Sequence, residues 1–243
     1  MNIVEINSGL IIAEPIKERM DIHLYNVNKN LPSRNGFIYA LCGSGGSGKS
    51  SLLLNMFKSS KFYRKKFDNI WYITPQSSFL SVEKHPFEKH KKIYHELTID
   101  ILDNIYEELI ELKENAINEN MPLESSCVVI DDMANNLKDN DLIIFLNKMI
   151  IKARHLSCCF IFTLQSYYLL DPRIRKQLTN ISIFKPKNAK EWVNISQELL
   201  NMDKKNQIVL YDYIFDKNYN HLDIDTVENK MYKNFNLLEI TNG

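Results

Sequence analysis

Phe37-Ile-Tyr-Ala-Leu-Cys42 runs directly into Gly43-Ser-Gly-Gly-Ser-Gly48-Lys49-Ser50-Ser51, and that into Leu52-Leu-Leu-Asn-Met-Phe57. An apolar run, a glycine-rich loop and a helical start in this order form the strand–loop–helix context that G-x-x-x-x-G-K-[ST] requires. The chain has seven glycines, and four of them fall within Gly43–Gly48. Backbone N–H groups there must turn inward with no Cβ between them and a phosphate. Lys49 is then expected to reach the β- and γ-phosphates and the Ser50 hydroxyl to sit on Mg²⁺, with the helix N-terminus adding its partial positive charge. The candidate nucleotide cradle is Gly43, Ser44, Gly45, Gly46, Ser47, Gly48, Lys49, Ser50 and Ser51, with ATP and Mg²⁺ as its expected ligands. A Gly/Ser loop that merely happens to precede Lys-Ser is the bland alternative, and the flanking elements weigh against it.

Outward from the loop, short apolar runs alternate with segments of helical period. The runs are Phe37–Cys42, Ile70–Thr74, Cys127–Asp131, Cys158–Leu164 and Ile181–Phe184. Between them, Ile101, Ile105, Leu109 and Leu112 recur at helical spacing, as do Leu142, Phe145, Leu146, Met149, Ile150 and Ala153. This pattern predicts an α/β fold, a mainly parallel central sheet flanked by helices. A further helix is expected over Ala189–Leu200, a strand over Ile208–Phe215, and a polar Asn-rich end beyond. The organisation expected is a lead-in over 1–35, one P-loop domain over 36–216 and a tail over 217–243. A chain of 243 residues suits one large α/β domain.

Cys127-Val-Val-Ile-Asp131-Asp132 is an apolar strand ending in two carboxylates. Alone it is a weak signal, because strands commonly finish at Asp-rich turns. Behind a P-loop it reads as the second nucleotide motif: Asp131 holds Mg²⁺ through its water shell, and Asp132 polarises the attacking water as general base. Many P-loop motors carry Glu at this second position, and Asp is one methylene shorter. Gln165 ends the strand Cys158–Leu164, where a neutral amide can bond both the γ-phosphate and the lytic water. Arg154, Arg173 and Arg175 are candidate trans-acting fingers in a ring, each weighed against a plainly solvated arginine.

Composition excludes several classes. Hydrophobic residues make up 44%, charged 25% and aromatic 11%, which fits a globule rather than a disordered or fibrous chain. Lys+Arg and Asp+Glu are both 30, so any grip on nucleic acid must come from a local patch. Two patches qualify. Lys58, Lys61, Arg64, Lys65 and Lys66 interleave with Phe62 and Tyr63, and Lys84, Lys89, Lys91 and Lys92 stand among His85, His90 and His95. The histidine spacing scatters side chains around a helix, which argues against a metal site. Cys42, Cys127, Cys158 and Cys159 lack C-x-x-C spacing and read as buried thiols. No apolar run approaches a membrane span and the start MNIVEINSGL does not read as a signal peptide, so no membrane partner and a cytosol-like compartment are expected.

Taken together, GSGGSGKSS, VVIDDM, the Arg154-His-Leu-Ser-Cys-Cys-Phe-Ile-Phe-Thr-Leu-Gln165-Ser segment and the following Asp171-Pro-Arg-Ile-Arg175 resemble the packaging ATPases of large DNA viruses and virophages. That poxvirus-type group is a branch of the FtsK–HerA superfamily of P-loop NTPases, and the likeness covers roughly Gly36 to Lys187. The resemblance implies a sheet with the Gln-bearing strand between the P-loop and acidic strands. It also implies an ATP-driven motor that packages double-stranded DNA, a pentameric or hexameric homo-oligomeric ring and a capsid or portal-vertex partner. Its setting would be the host cytoplasm, in a viral factory or with the virion. By the same resemblance Lys49, Ser50, Asp131, Asp132 and Gln165 take the nucleotide roles, with Arg154 as finger and Arg173 and Arg175 in reserve. Asp-Asp departs from the Asp-Glu of many superfamily members. Another DNA motor of the superfamily, or a nucleotide switch that moves no DNA, are the competing readings. The Asn-Lys-x-Asp signature of GTP switches is missing from the sequence.

Overall fold

Strands that are apolar at every position need cover on both faces, and that requirement organises the chain. In the computed structural model, which describes residues 23–239, the chain order is β1 (Ile38–Cys42), α1 (Lys49–Lys58), β2 (Asn69–Ile73), α2 (Gln76–Leu80), β3 (Ile93–Tyr94), α3 (Ile99–Asn118), β4 (Ser126–Asp131), α4 (Asn140–Ile151), β5 (Cys158–Leu164), α5 (Pro172–Arg175), β6 (Asn180–Phe184), α6 (Ala189–Leu200), α7 (Lys204–Ile214), β7 (His221–Asp225), β8 (Lys230–Lys233) and β9 (Asn236–Leu237). The strands join one sheet in the order β3-β2-β4-β5-β1-β6-β7-β8-β9. From β3 to β6 all pairs are parallel, and β7, β8 and β9 are added antiparallel. The expected α/β architecture is borne out, and so is its order: β5, which leads to Gln165, lies between β1 and β4.

Alternation along β1 sorts two hydrophobic layers. Ile38, Ala40 and Cys42 face the layer built with α3, α4, α6 and α7, while Tyr39 and Leu41 face the layer that includes Leu53, Met56 and Phe57 of α1. Leu53 and Met56 are fully buried, a burial that stabilises by about 1.5–3 kcal/mol for each such side chain. Side-chain caps begin the helices: Thr98 accepts from the Ile101 N–H, Asp139 from Asp141 and Leu142, and Asn188 from Glu191. In α3, Leu102, Ile105, Tyr106 and Leu109 form its buried stripe.

Two expectations fail beyond α6. The segment read as a strand over Ile208–Phe215 is helix α7, started by Asp203, whose carboxylate accepts from the Asn206 N–H. Its β-branched and aromatic residues suggest a strand, but Gln207, Leu210 and Ile214 recur at helical spacing and are buried together, while Ile208, Val209 and Tyr213 stay exposed. Trp192 of α6 packs on Tyr211 and Phe215 and donates its indole N–H to the Gln207 carbonyl, so tertiary packing overrides strand propensity. Residues 221–237, read as a polar tail, extend the sheet by β7, β8 and β9. Of the lead-in, residues 1–22 lie outside the described part, and His23 forms an antiparallel bridge with Arg34.

Candidate phosphate-loop site

The loop leaves the C-terminal end of β1 and enters α1 at Lys49. Gly48, the residue before α1, has φ 103°, a backbone that only glycine adopts without strain. Gly43 has a different constraint: a Cβ there would lie 2.7 Å from Phe184 Cβ, so the end of β6 is packed against the loop's first residue. The Gly43 N–H donates to the Leu164 carbonyl at 3.0 Å, which ties the loop to the residue just before Gln165. Around Gly45 and Gly46 the space is open.

Lys49 is buried and its Nζ donates to the Ser44 carbonyl at 3.0 Å, across the loop. Burial pulls its ammonium below the usual lysine range, opposed by Asp132 first, then by Cys42 and Asp131, while Lys187 adds to the depression. Ser47 Oγ is buried with no protein hydrogen-bond partner. Ser50 and Ser51 are exposed in the first turn of α1. A helix N-terminus and a buried cation beside the open space at Gly45 and Gly46 suit a polyanion such as a triphosphate.

Asp131 closes β4 and is buried. The Tyr72 hydroxyl of β2 donates to its Oδ2 at 2.6 Å, and the Thr163 hydroxyl of β5 donates to its Oδ1. Asp132 is exposed and sits at φ 57°, with its N–H bonded to Thr163 Oγ1 at 2.9 Å and its carboxylate accepting from Ser78 at 3.4 Å. Next to β1, Gln165 is exposed at the end of β5 and lines an open pocket with Lys187, Asn188 and Glu191. The loop, the two carboxylates and Gln165 therefore meet at one edge of the sheet, since β4, β5 and β1 run parallel.

Arg154 is elsewhere. It follows α4, and a Cβ on Gly36, just before β1, would lie 2.7 Å from its Cα. That is the opposite edge from the phosphate loop, separated by the length of β1, roughly 16 Å. Arg154 lines a cavity of about 370 Å³ there, with Arg34, Asp223, Asp225 and Glu228. Arg173 is exposed and paired with Asp171 at 2.8 Å. Arg175 is bonded to Glu198 at 3.4 Å, with its guanidinium over the rings of Tyr167 and Tyr168.

The aromatic residues of the first basic run are core: Tyr63 is buried against Phe37, Phe57 and Phe67, and Phe62 packs on Phe235, leaving Lys61, Arg64 and Lys65 exposed. In the second run, Lys92 pairs with Glu108 at 2.7 Å and covers Trp71, while His85 is buried against Phe79, Tyr72 and Phe87. The four cysteines are buried free thiols, with burial pushing Cys42 and Cys159 up to about 12. Tyr72, Thr163 and Phe184 escaped the sequence reading, because nothing local marks a Tyr, Thr or Phe within an apolar run as the neighbour of a distant carboxylate or loop.

No curated protein matches the chain. Among solved structures it is similar to the genome packaging NTPase B204 from Sulfolobus turreted icosahedral virus 2 in complex with AMPPCP, at 18% identity and TM-score 0.55, over 86% of this chain and 100% of that one. B204, the DNA-packaging ATPase from Sulfolobus turreted icosahedral virus, matches at 19% identity and TM-score 0.57, over 85% and 98%. ATPases 2 and 3 of EssC from Geobacillus thermodenitrificans match at 14% identity and TM-score 0.59, over 86% of this chain and 41% of that one. These likenesses carry the fold. Among the described residues no helix is long and apolar enough to cross a membrane. The family described as Poxvirus A32 protein matches residues 26–238, nearly the whole chain, and the protein belongs to that family.

Proposed function

We propose that this chain is an ATP-hydrolysing motor that drives double-stranded DNA into a viral capsid. The observation that carries the reading is the meeting of the phosphate loop, the Asp131–Asp132 pair and Gln165 at one sheet edge, in a chain of the Poxvirus A32 family. Its structural neighbours B204 are described as a genome packaging NTPase and a DNA-packaging ATPase, one of them in complex with an ATP analogue.

In this reading backbone N–H groups of the loop between Gly45 and Ser51 and the Lys49 ammonium hold the triphosphate, while the Gly43 N–H stays on the Leu164 carbonyl. Ser50 and Asp131 would hold Mg²⁺, which when bound neutralises charge on the phosphate oxygens. Asp131 stays an acceptor while Tyr72 and Thr163 orient it. Exposed Asp132 takes the proton of the attacking water, and Gln165 orients that water against the γ-phosphate. Arg154, on the opposite edge, is too far to serve its own loop and acts on a neighbour's ATP within a ring. Duplex DNA is gripped through phosphates by exposed cations, with Lys61, Arg64 and Lys65 the foremost set, so grip is independent of sequence. A capsid protein docks the ring, and the site of action is the host cytoplasm.

Another DNA motor of the superfamily and a switch that moves no DNA are the rivals. A triplex-displacement assay with the full chain, ATP and duplexes of unrelated sequence separates motor from switch. The motor strips the third strand from each duplex, and Lys49→Ala does not. ATP hydrolysis on duplex DNA without any strand displacement would sink the translocase.

A further inference from the structure

Tyr219 stands in the turn between α7 and β7 at φ 67°, a left-handed backbone that is uncommon for a bulky side chain and strained when it occurs. Its neighbours Asn218 and Asn220 are of the residue type that accepts this conformation most readily after glycine, yet the strain falls on the tyrosine. The side chain is 68% exposed, so burial of its ring does not repay that cost. Backbone strain held without a packing return is a reason to look for a ligand.

The ring lies against the last glycine of the phosphate loop. Tyr219 Cδ1 is 3.1 Å from where a Cβ on Gly48 would be, and Phe184 Cε1 is 3.4 Å from the same point. Phe184 is buried and serves as wall; Tyr219 presents its ring to solvent beside it.

The polarity of the site follows from the strand order. Asp131, Asp132 and Gln165 stand on the β4 and β5 side of β1, which is where the γ-phosphate must be for water to attack it. A triphosphate laid along the loop therefore has its nucleoside end toward the β6 and β7 side. That is the side from which Phe184 and Tyr219 approach Gly48.

We propose that Tyr219 is the platform on which the nucleobase of the bound triphosphate stacks, an inference that rests on the nucleotide reading of the loop. An aromatic face accepts any base, so this platform supplies affinity with little choice between adenine and guanine. The turn between α7 and β7, which lies outside the strand–loop–helix motif, thereby becomes part of the nucleotide site.

Titration calorimetry on the full chain tests this with three probes: ATP, GTP and inorganic tripolyphosphate, which has the phosphates but no base. Tyr219→Ala should weaken ATP and GTP by about 5- to 150-fold each, the range for loss of one base–aromatic stack, and leave tripolyphosphate unchanged. Tyr219→Phe should bind all three as the parent does, and Lys49→Ala should lose all three. Unchanged ATP affinity in Tyr219→Ala, beside a dead Lys49→Ala, overturns the platform and leaves the loop assignment standing. An equal loss of tripolyphosphate in Tyr219→Ala overturns it too, by making the ring a wall of the loop. Unchanged tripolyphosphate binding in Lys49→Ala overturns the loop reading and the platform together.

Discussion

The Asp132 N–H donates to Thr163 Oγ1 at 2.9 Å, and the same hydroxyl donates a hydrogen bond to the Asp131 carboxylate. One side chain on β5 therefore sets both the orientation of the first carboxylate and the left-handed backbone that turns the second toward solvent. Thr163 is also two residues before Gln165, so the strand that presents the amide braces the acidic pair.

Thr163→Val keeps the shape and removes both bonds. It should lower stability by about 1–3 kcal/mol, the cost of leaving a buried acceptor short of a donor, and lower kcat more than it raises the KM for ATP. Asp132→Asn offers the contrast: loss of about 10²–10⁴ in turnover, with ATP still bound and the denaturation midpoint near that of the parent. Urea unfolding and steady-state kinetics on the two variants measure this. A Thr163→Val chain with parental kcat would show that the bracing is structural only.

Lys49 yields a prediction of opposite sign for binding and stability. Burial depresses its pKa, so the folded chain holds that proton less tightly than the unfolded chain does. Its contribution to stability therefore rises with pH from the depressed value up to the unfolded value near 10.5, and at pH 7 the charged group is a cost. Lys49→Met should abolish ATP binding yet melt higher than the nucleotide-free parent at pH 7, the gap closing as pH approaches that of free lysine. The direction of the shift is the prediction; for scale, about 1 kcal/mol moves the midpoint of a chain this size by roughly 2–4 °C. Calorimetric melting at two pH values is the check; a lower midpoint would mean that the bond to the Ser44 carbonyl outweighs the burial cost.

Arg154 stands one β-strand length from its own phosphate loop, which makes subunit mixing decisive. Arg154→Ala should bind ATP normally and lose about 10³–10⁵ in turnover if it serves a neighbour's transition state. Mixing it with Lys49→Ala should restore part of the rate, because some interfaces then join an intact Arg154 to an intact loop. Mixed rings, verified by mass, that stay inactive in every proportion would pass the role to Arg173 or Arg175. In this structure Arg173 pairs with Asp171 and Arg175 with Glu198.

What the sequence determined by itself was local. Gly43–Ser51 requires a strand before it and a helix after it, β4 and β5 are apolar at almost every position, and Ala189–Leu200 reads as the helix it forms, all from backbone and side-chain preferences within a few residues. Family likeness supplied the strand order, which periodicity alone does not encode. Tertiary structure decided the rest. Ile208–Phe215 is a helix because Trp192, a residue of α6, offers a surface for its 3.6-residue stripe, which outweighs its strand propensity. His221–Asp225 is a strand because β6 leaves an open edge whose N–H and C=O groups need partners, and β8 and β9 pair on in turn, a need no reading of a polar Asn-rich segment reveals. Tyr72, Thr163 and Tyr219 join the site only because parallel strands bring Asp131 beside Thr163 and the turn before β7 returns to Gly48. Contacts across such distances along the chain are settled by packing, and packing is not written at any one position.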